Sequence, residues 1–230
     1  MISYVVPLWR DECYRDNCRP ALERQVAEYG AEIIETRSET SIFKALEAGR
    51  QQASFETIVY LHDDVELLDD DTTERVLMTM STHDLGVLGV CGSAAGEMKC
   101  PWWTADRVVG AWVRKDRRGN RVWEDTRYRR AAHPRPDWTG QRGVGELQGA
   151  QLLDGIFLAD RTNIPWPGET GWHGYDLDRC MRARAAGFEV AVGDILVCHH
   201  HGGKPIEVAE EWTQALGPAM TQAREAWGLG

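Results

Sequence analysis

No stretch of the 230-residue chain approaches eighteen consecutive apolar residues, so hydropathy gives no membrane-spanning helix. The six cysteines (Cys13, Cys18, Cys91, Cys100, Cys180 and Cys198) contain no C-x-x-C pair. That spacing argues against a zinc knuckle and fits reduced, mostly buried thiols. The histidines show no zincin spacing either. The opening MISYVVPLWR lacks a basic leader, a long apolar core and a small-residue cleavage site, which leads us to expect a cytoplasmic protein. No glycine-rich, basic phosphate loop follows the first strand-like run; PLWRDECYRDN stands there instead, which counts against a nucleotidyltransferase. What remains is a chain with 43% apolar residues and ordinary glycine and proline contents, long enough for one large α/β domain.

Charge is spread unevenly. Between Cys100 and Arg142 eleven Lys and Arg face five acids, so this segment carries +6 within a chain of formal charge −10. The same segment holds Trp102, Trp103, Trp112, Trp123 and Trp138. An acidic body with one basic, Trp-rich segment points to a local anionic ligand rather than to a general polyanion-binding surface. The tryptophans suit stacking on sugar rings or bases and the arginines suit phosphate; a small satellite core with solvated charge explains the same residues.

The first hundred residues alternate between strand and helix patterns. Ile2 to Val6 reads as a buried strand ended by Pro7. A helix with Pro20 in its first turn carries Leu22, Val26 and Tyr29 on one face and stops at Gly30. Glu32 to Glu35 is the next strand and Ser41 to Gln52 the next helix; Thr57 to His62 is the third strand, a helix covers Thr72 to Met80, and Gly86 to Val90 is the fourth strand. This rhythm predicts an α/β fold with a mostly parallel sheet flanked by helices. The rhythm breaks between Pro101 and Gln148, where a hairpin is expected from Val108 to Val113 and Val122 to Asp125 about the turn Arg118-Gly119-Asn120. Regular patterns return as a strand from Leu152 to Leu158, a helix from Asp178 to Ala186 and strand-like runs from Phe188 to Val197. Trp212, Leu216, Met220, Ala223 and Trp227 form the apolar stripe of a docked terminal helix. We therefore divide a single domain into a nucleotide-binding half (1–98), an insertion (99–148), an acceptor and metal half (149–204) and the terminal helix (205–230).

The densest chemistry lies in YLHDDVELLDDD, residues 60 to 71. In an open parallel sheet, ligands gather beyond the C-terminal ends of the strands, and His62-Asp63-Asp64 falls at such an end. A short acidic turn there can give Mg²⁺ or Mn²⁺ one or two hard oxygen ligands while a diphosphate supplies others. The second acidic group has a different explanation: Asp71-Thr72-Thr73-Glu74 has the form of a capping box, with acids at the positive end of a helix.

Six segments in order carry a resemblance to a known family. They are Val5-Val6-Pro7, Glu35, Tyr60 to Val65, Leu153-Asp154-Gly155-Ile156-Phe157-Leu158, His173 to Arg182, and Val197-Cys198-His199-His200 followed by Gly202-Gly203. Together they resemble a GT-A-fold glycosyltransferase of the family-2-like kind, most similar to the branch typified by the StrF domain of streptomycin biosynthesis, over roughly residues 2 to 204. The resemblance implies a Rossmann-like GT-A sheet and a nucleotide-sugar donor. Asp64 matches the second acid of the fold's Asp-x-Asp motif and is implied as a metal ligand, with His62 in place of the first acid. Asp63 would face the ribose or solvent. Pro7 and Glu35 are implied near the nucleotide, although Glu35 also reads as a solvated strand-end acid. Asp154 and Gly155 would line the sugar pocket; Gly155 inside a strand also fits a simple bulge.

In the segment matching the fold's Glu-Asp motif, Tyr175 stands where the Glu would be and Asp176 matches the Asp, the implied catalytic base for the acceptor hydroxyl. Asp178 reads as a helix cap or as the partner of Arg182. His199 and His200 are implied as ligands completing a Mn²⁺ or Mg²⁺ site, although adjacent strand residues face opposite ways. The expected function is sugar transfer from a nucleotide-diphosphate donor to an acceptor hydroxyl, by inversion. The acceptor is not legible, an anionic one (phospholipid, glycan or modified nucleic acid) suiting the basic segment. The replacements at His62 and Tyr175 keep open a non-catalytic nucleotide-sugar-binding protein.

Overall fold

A computed structural model describes residues 1–9, 11–96, 98, 102–115, 121–125, 147–168 and 171–200. The Arg118-Gly119-Asn120 turn, Trp138, His201 and the terminal helix read from sequence lie outside these residues. Strand β1 (Ile2–Pro7) is buried from Ile2 to Val6 and apolar except for Ser3, because both its faces are covered. It runs parallel to β2 (Glu32–Thr36) on one side and to β3 (Thr57–Leu61) on the other, with Val5 opposite both Ile34 and Tyr60. The C-terminal ends of these three strands, bearing Pro7, Glu35 and His62, therefore share one edge.

The first connection is longer than periodicity indicates. After β1 come a short helix α1 (Asp11–Cys13), a π-helical stretch (Tyr14–Cys18) and α2 (Arg19–Tyr29), so the helical path starts well before Pro20. Its early turns are mostly polar, which hid them from an apolar pattern. Gly30 ends α2 in the left-handed region at φ 65°, where a side chain is disfavoured. Helix α3 (Ile42–Gln52) buries Ile42, Phe43, Ala45, Leu46 and Gly49. A Cβ on Gly49 would lie 2.2 Å from Cγ1 of Val5, so this glycine lets helix and sheet approach closely.

Helix α4 (Thr72–His83) follows the short strand β4 (Val65–Leu67), and the expected capping box does not form. Asp71 makes no side-chain cap bond; it pairs instead with Arg75 at 2.8 Å. The cap comes from a different helix. Gln25 of α2, 1% exposed, accepts the Thr73 N–H (2.9 Å) through Oε1 and donates through Nε2 to the carbonyls of Asp69 and Asp70. A buried amide that satisfies those groups leaves the local box without a role.

Strand β5 (Leu85–Gly89) and β6 (Cys91–Ala94) follow, and the chain then forms a hairpin of β7 (Val108–Lys115) with β8 (Arg121–Asp125). The insertion is thus built into the sheet, because β7 pairs with β6 on one side and with the last strand on the other. The strand expected over Leu152 to Leu158 is two strands, β9 (Gln148–Leu153) and β10 (Phe157–Asp160). The break comes from Asp154, whose Oδ1 accepts the Ile156 N–H at 2.9 Å and turns the chain. Helix α5 (Tyr175–Ala185) begins three residues earlier than expected; Gly174 is its cap, and Asp178 pairs with Arg182 at 2.7 Å. Strands β11 (Glu189–Val192) and β12 (Val197–His199) complete the order β2-β1-β3-β10-β5-β11-β9-β6-β7-β12-β4, with β8 attached to β7. β11 lies parallel to β5, while β10 enters antiparallel between β3 and β5.

Helices pack on this sheet around one apolar core, in which Arg179, 0% exposed, is held by Asp160 (3.1 Å) and lies 3.7 Å from the Trp166 ring centroid. The five described cysteines are buried. Among the described residues no helix is long and apolar enough to cross a membrane.

Candidate active site

The His-Asp-Asp turn leaves β3 and is fixed by backbone bonds: the His62 N–H donates to Ile156 O (3.2 Å) and the Val65 N–H returns to His62 O (3.2 Å). Strand β4 then pairs antiparallel with β12, setting Val65 against His199. One further bond, from the His200 N–H to Asp64 O (2.8 Å), continues that ladder. The result brings the Asp64 carboxylate against the His199 imidazole, with Oδ1 and Nε2 3.2 Å apart. His62 closes the group: its Nδ1 lies 3.8 Å from the same oxygen, and the two imidazole centroids are 5.8 Å apart.

Ligand atoms of His62, Asp64 and His199 all fall within 4.8 Å of one another. Two imidazoles and a carboxylate fit Mn²⁺ well and Mg²⁺ through the oxygen. Burial holds His62 below the ordinary histidine range while Asp64 pulls the other way, and the neutral ring that results is the form able to donate to a cation. His62 Nε2 meets the Tyr175 hydroxyl at 2.5 Å, which orients the ring and leaves Nδ1 toward Asp64.

Tyr175 links this group to a second pair of acids. Its hydroxyl occupies the space beside Gly155, where an added Cβ would sit 2.0 Å from it. Asp154 is held at Oδ2 by the Trp102 indole N–H (2.9 Å) and at Oδ1 by Ile156. Asp176, in the first turn of α5, accepts the Leu177 N–H at 2.9 Å. Burial first, and the Asp154 charge second, push the Asp176 carboxyl from 3.8 up to about 7, against backbone hydrogen bonds that include one from Gly155. A carboxyl tuned to neutrality can accept a proton at physiological pH and give it up again. At the outer edge the exposed Trp9 meets Trp172 edge to face, centroids 4.9 Å apart.

Residues 8–215 match the model of a family described as "Glycosyltransferase like family". The chain belongs to that glycosyltransferase-like family. No curated protein matches the sequence. Among solved structures, GalNAc-T7 with UDP, GalNAc and Mn²⁺ aligns at 11% identity and TM-score 0.47, over 87% of this chain and 44% of that one. TarS of S. aureus aligns at 12% identity and TM-score 0.47, over 86% and 60%. A Drosophila galactosyltransferase 7 mutant with manganese, UDP-Gal and xylobiose aligns at 13% identity and TM-score 0.43, over 84% and 64%. The chain thus spans less than two thirds of each of these proteins.

In this glycosyltransferase-family chain, Asp64, His199, Asp154, Gly155 and Asp176 converge around Tyr175 and His62. His200 does not join them. It follows His199 on the same strand, so its side chain turns to the opposite face and meets Glu66 at 2.9 Å. Of the two orientations expected for Asp63, toward ribose or solvent, the solvent one is not adopted: Asp63 is 6% exposed, and its Oδ2 accepts the Trp9 backbone N–H at 2.5 Å, fixing the loop after β1. Glu35 lies at the shared strand edge but is engaged by the Tyr14 hydroxyl (2.8 Å) and by Arg19 (2.7 Å). Pro7 ends β1 at that edge, opposite Thr36. His173 belongs to neither group of ligand-type side chains among the described residues.

Sequence reading gave no role to Tyr175, left His62 open and missed the attachment of Trp102 to Asp154. In the structure Trp102 is buried in the one apolar core with Trp103 and Trp112 packed against it, rather than in a satellite core, and its N–H projects to the site.

Proposed function

We propose that this protein transfers a sugar from a nucleotide-diphosphate donor to an acceptor hydroxyl by direct displacement with inversion. The observation that carries the reading is the meeting of Asp64 with His199 and His62, beside the half-buried Asp176 carboxyl raised to about 7. A bound Mn²⁺ or Mg²⁺, held by Asp64, His199 and His62, would offset charge growing on the leaving diphosphate.

The other tasks fall to the chain's own groups. Asp176, once deprotonated, takes the acceptor proton as the acceptor oxygen bonds to the anomeric carbon and the bond to the donor phosphate oxygen breaks. Asp154, steadied by Trp102 and Ile156, holds that carboxyl close to the pH at which it exchanges protons. Tyr175 fixes the His62 ring, while Pro7, Glu35 and the Asp63-anchored loop, at the shared strand edge, would border the nucleotide. The nucleotide, the sugar, an anionic acceptor and the StrF-type affiliation belong to this proposal, as does a cytoplasmic location.

Donor hydrolysis and transfer, measured with a panel of UDP-, GDP- and dTDP-sugars in Mn²⁺ and in EDTA, test the reading. Metal-supported turnover is expected; turnover unchanged in EDTA would refute the metal role. Asp176→Asn separates an enzyme from a binding protein, because donor binding should persist while turnover is lost.

A further inference from the structure

Two sets of ligand-type side chains gather along the β4–β12 ladder and at its end, with His199 in one and His200 in the other. Pairing sets Glu66 directly opposite Cys198, and His200 lies two residues beyond Cys198 on the same face. Ligand atoms of Glu66, Cys198 and His200 fall within 4.8 Å of one another. His200 Nε2 is 2.9 Å from Glu66 Oε2; the His200 side chain is 4% exposed, and Cys198 is fully buried. This group lies behind the Asp64 group and shares no side chain with it.

We propose that Glu66, Cys198 and His200 form a second cation site, selective for a borderline-soft ion of the Zn²⁺ class. The chemistry distinguishes the two faces. A thiolate beside an imidazole and a carboxylate favours Zn²⁺ over Mn²⁺ or Mg²⁺, whereas the Asp64 face offers only nitrogen and oxygen. Ligand atoms already gathered at this spacing need small movements to reach the roughly 2.0–2.3 Å bonds of zinc. Binding displaces the Cys198 thiol proton, and His200 Nε2 turns its lone pair to the cation in place of its hydrogen bond to Glu66. Burial gives the site a structural character: a cation there clamps β4 to β12, the two elements that position Asp64 and His199.

Cobalt is the probe, since thiolate coordination gives Co²⁺ an intense near-ultraviolet charge-transfer band. The full-length, metal-stripped chain is titrated with Co²⁺, without donor or acceptor, and Mn²⁺ binding is followed separately by electron paramagnetic resonance. One equivalent of the band is expected, displaced by Zn²⁺ but not by Mn²⁺, lost in Cys198→Ser and retained in Asp64→Asn. Glu66→Gln, which keeps the thiol, should show the same band with at least tenfold weaker Co²⁺ affinity. Absence of the band under excess Co²⁺, its survival in Cys198→Ser, or unchanged affinity in Glu66→Gln would each overturn the proposal. The readout is independent of turnover, so its failure and that of the transfer reaction are separable.

Discussion

Replacing Asp176 with Asn should make the protein more stable and less active, and the stability gain should depend on pH in a defined direction. Burial and Asp154 raise the Asp176 carboxyl from 3.8 to about 7, a rise of about three pH units. At 1.36 kcal/mol per unit, forcing that group to ionise costs the native state at most about 4 kcal/mol. The folded protein binds the proton more tightly than the unfolded chain, so stability falls as pH rises from about 4 to about 7 and is level above. Asn keeps an oxygen for the Leu177 N–H and carries no charge. Its advantage over Asp should therefore be near zero at pH 4, grow through pH 5 and 6, and level off above about 7. Allowing for relaxation and for water reaching the half-buried carboxyl, a net gain of about 1–2 kcal/mol corresponds to roughly 2–8 °C in Tm for a chain of this size. Melting curves of both proteins at four or five pH values measure this. A Tm difference independent of pH, or one that shrinks as pH rises, would show that Asp176 is not a strained carboxyl and would remove the basis for its role as a base.

Four further outcomes follow from the same geometry. Asp64→Ala should reduce Mn²⁺ affinity by more than about 100-fold in calorimetric titration with the fold intact, because it removes the oxygen that both imidazoles face. Tyr175→Phe loses only the bond to His62 and should weaken Mn²⁺ binding by about tenfold. Gly155→Ala drives a methyl into the Tyr175 hydroxyl and should cost about 1–3 kcal/mol in chemical denaturation. Asp154→Asn removes the neighbouring negative charge, so the acidic limb of the rate profile should move below about 7 while staying above 4, burial being the larger cause of the Asp176 shift.

The parallel β1, β2 and β3 core was legible because β1 and β3 are short, mostly apolar runs and Ile33-Ile34 mark β2, each bounded by turn or helix signals, and its shared edge already pointed to the His62-Asp64 turn. The meeting of Asp64 with His199 was suggested by resemblance alone; the pairing that creates it joins short, distant strands that carry little periodic signal. Three details needed coordinates. Gln25 caps a helix 48 residues away, a relation no local pattern records. Asp154 splits an apolar run that hydropathy reads as continuous. Trp102 sits in the segment set apart as an insertion, yet its indole reaches the acid pair.

The β4 and β12 pairing also fixes when this centre can come into being. Glu66 and His200 lie 134 positions apart, and β12 is the final described strand. A growing polypeptide that has passed β4 holds two of the three side chains of the Asp64 group and one of the three of the Glu66 group, and loop closure across the intervening strands must come first. On the proposed metal role, capture of an ion would be a late event of maturation, and a chain truncated ahead of β12 would keep its acidic turn without gaining an ion.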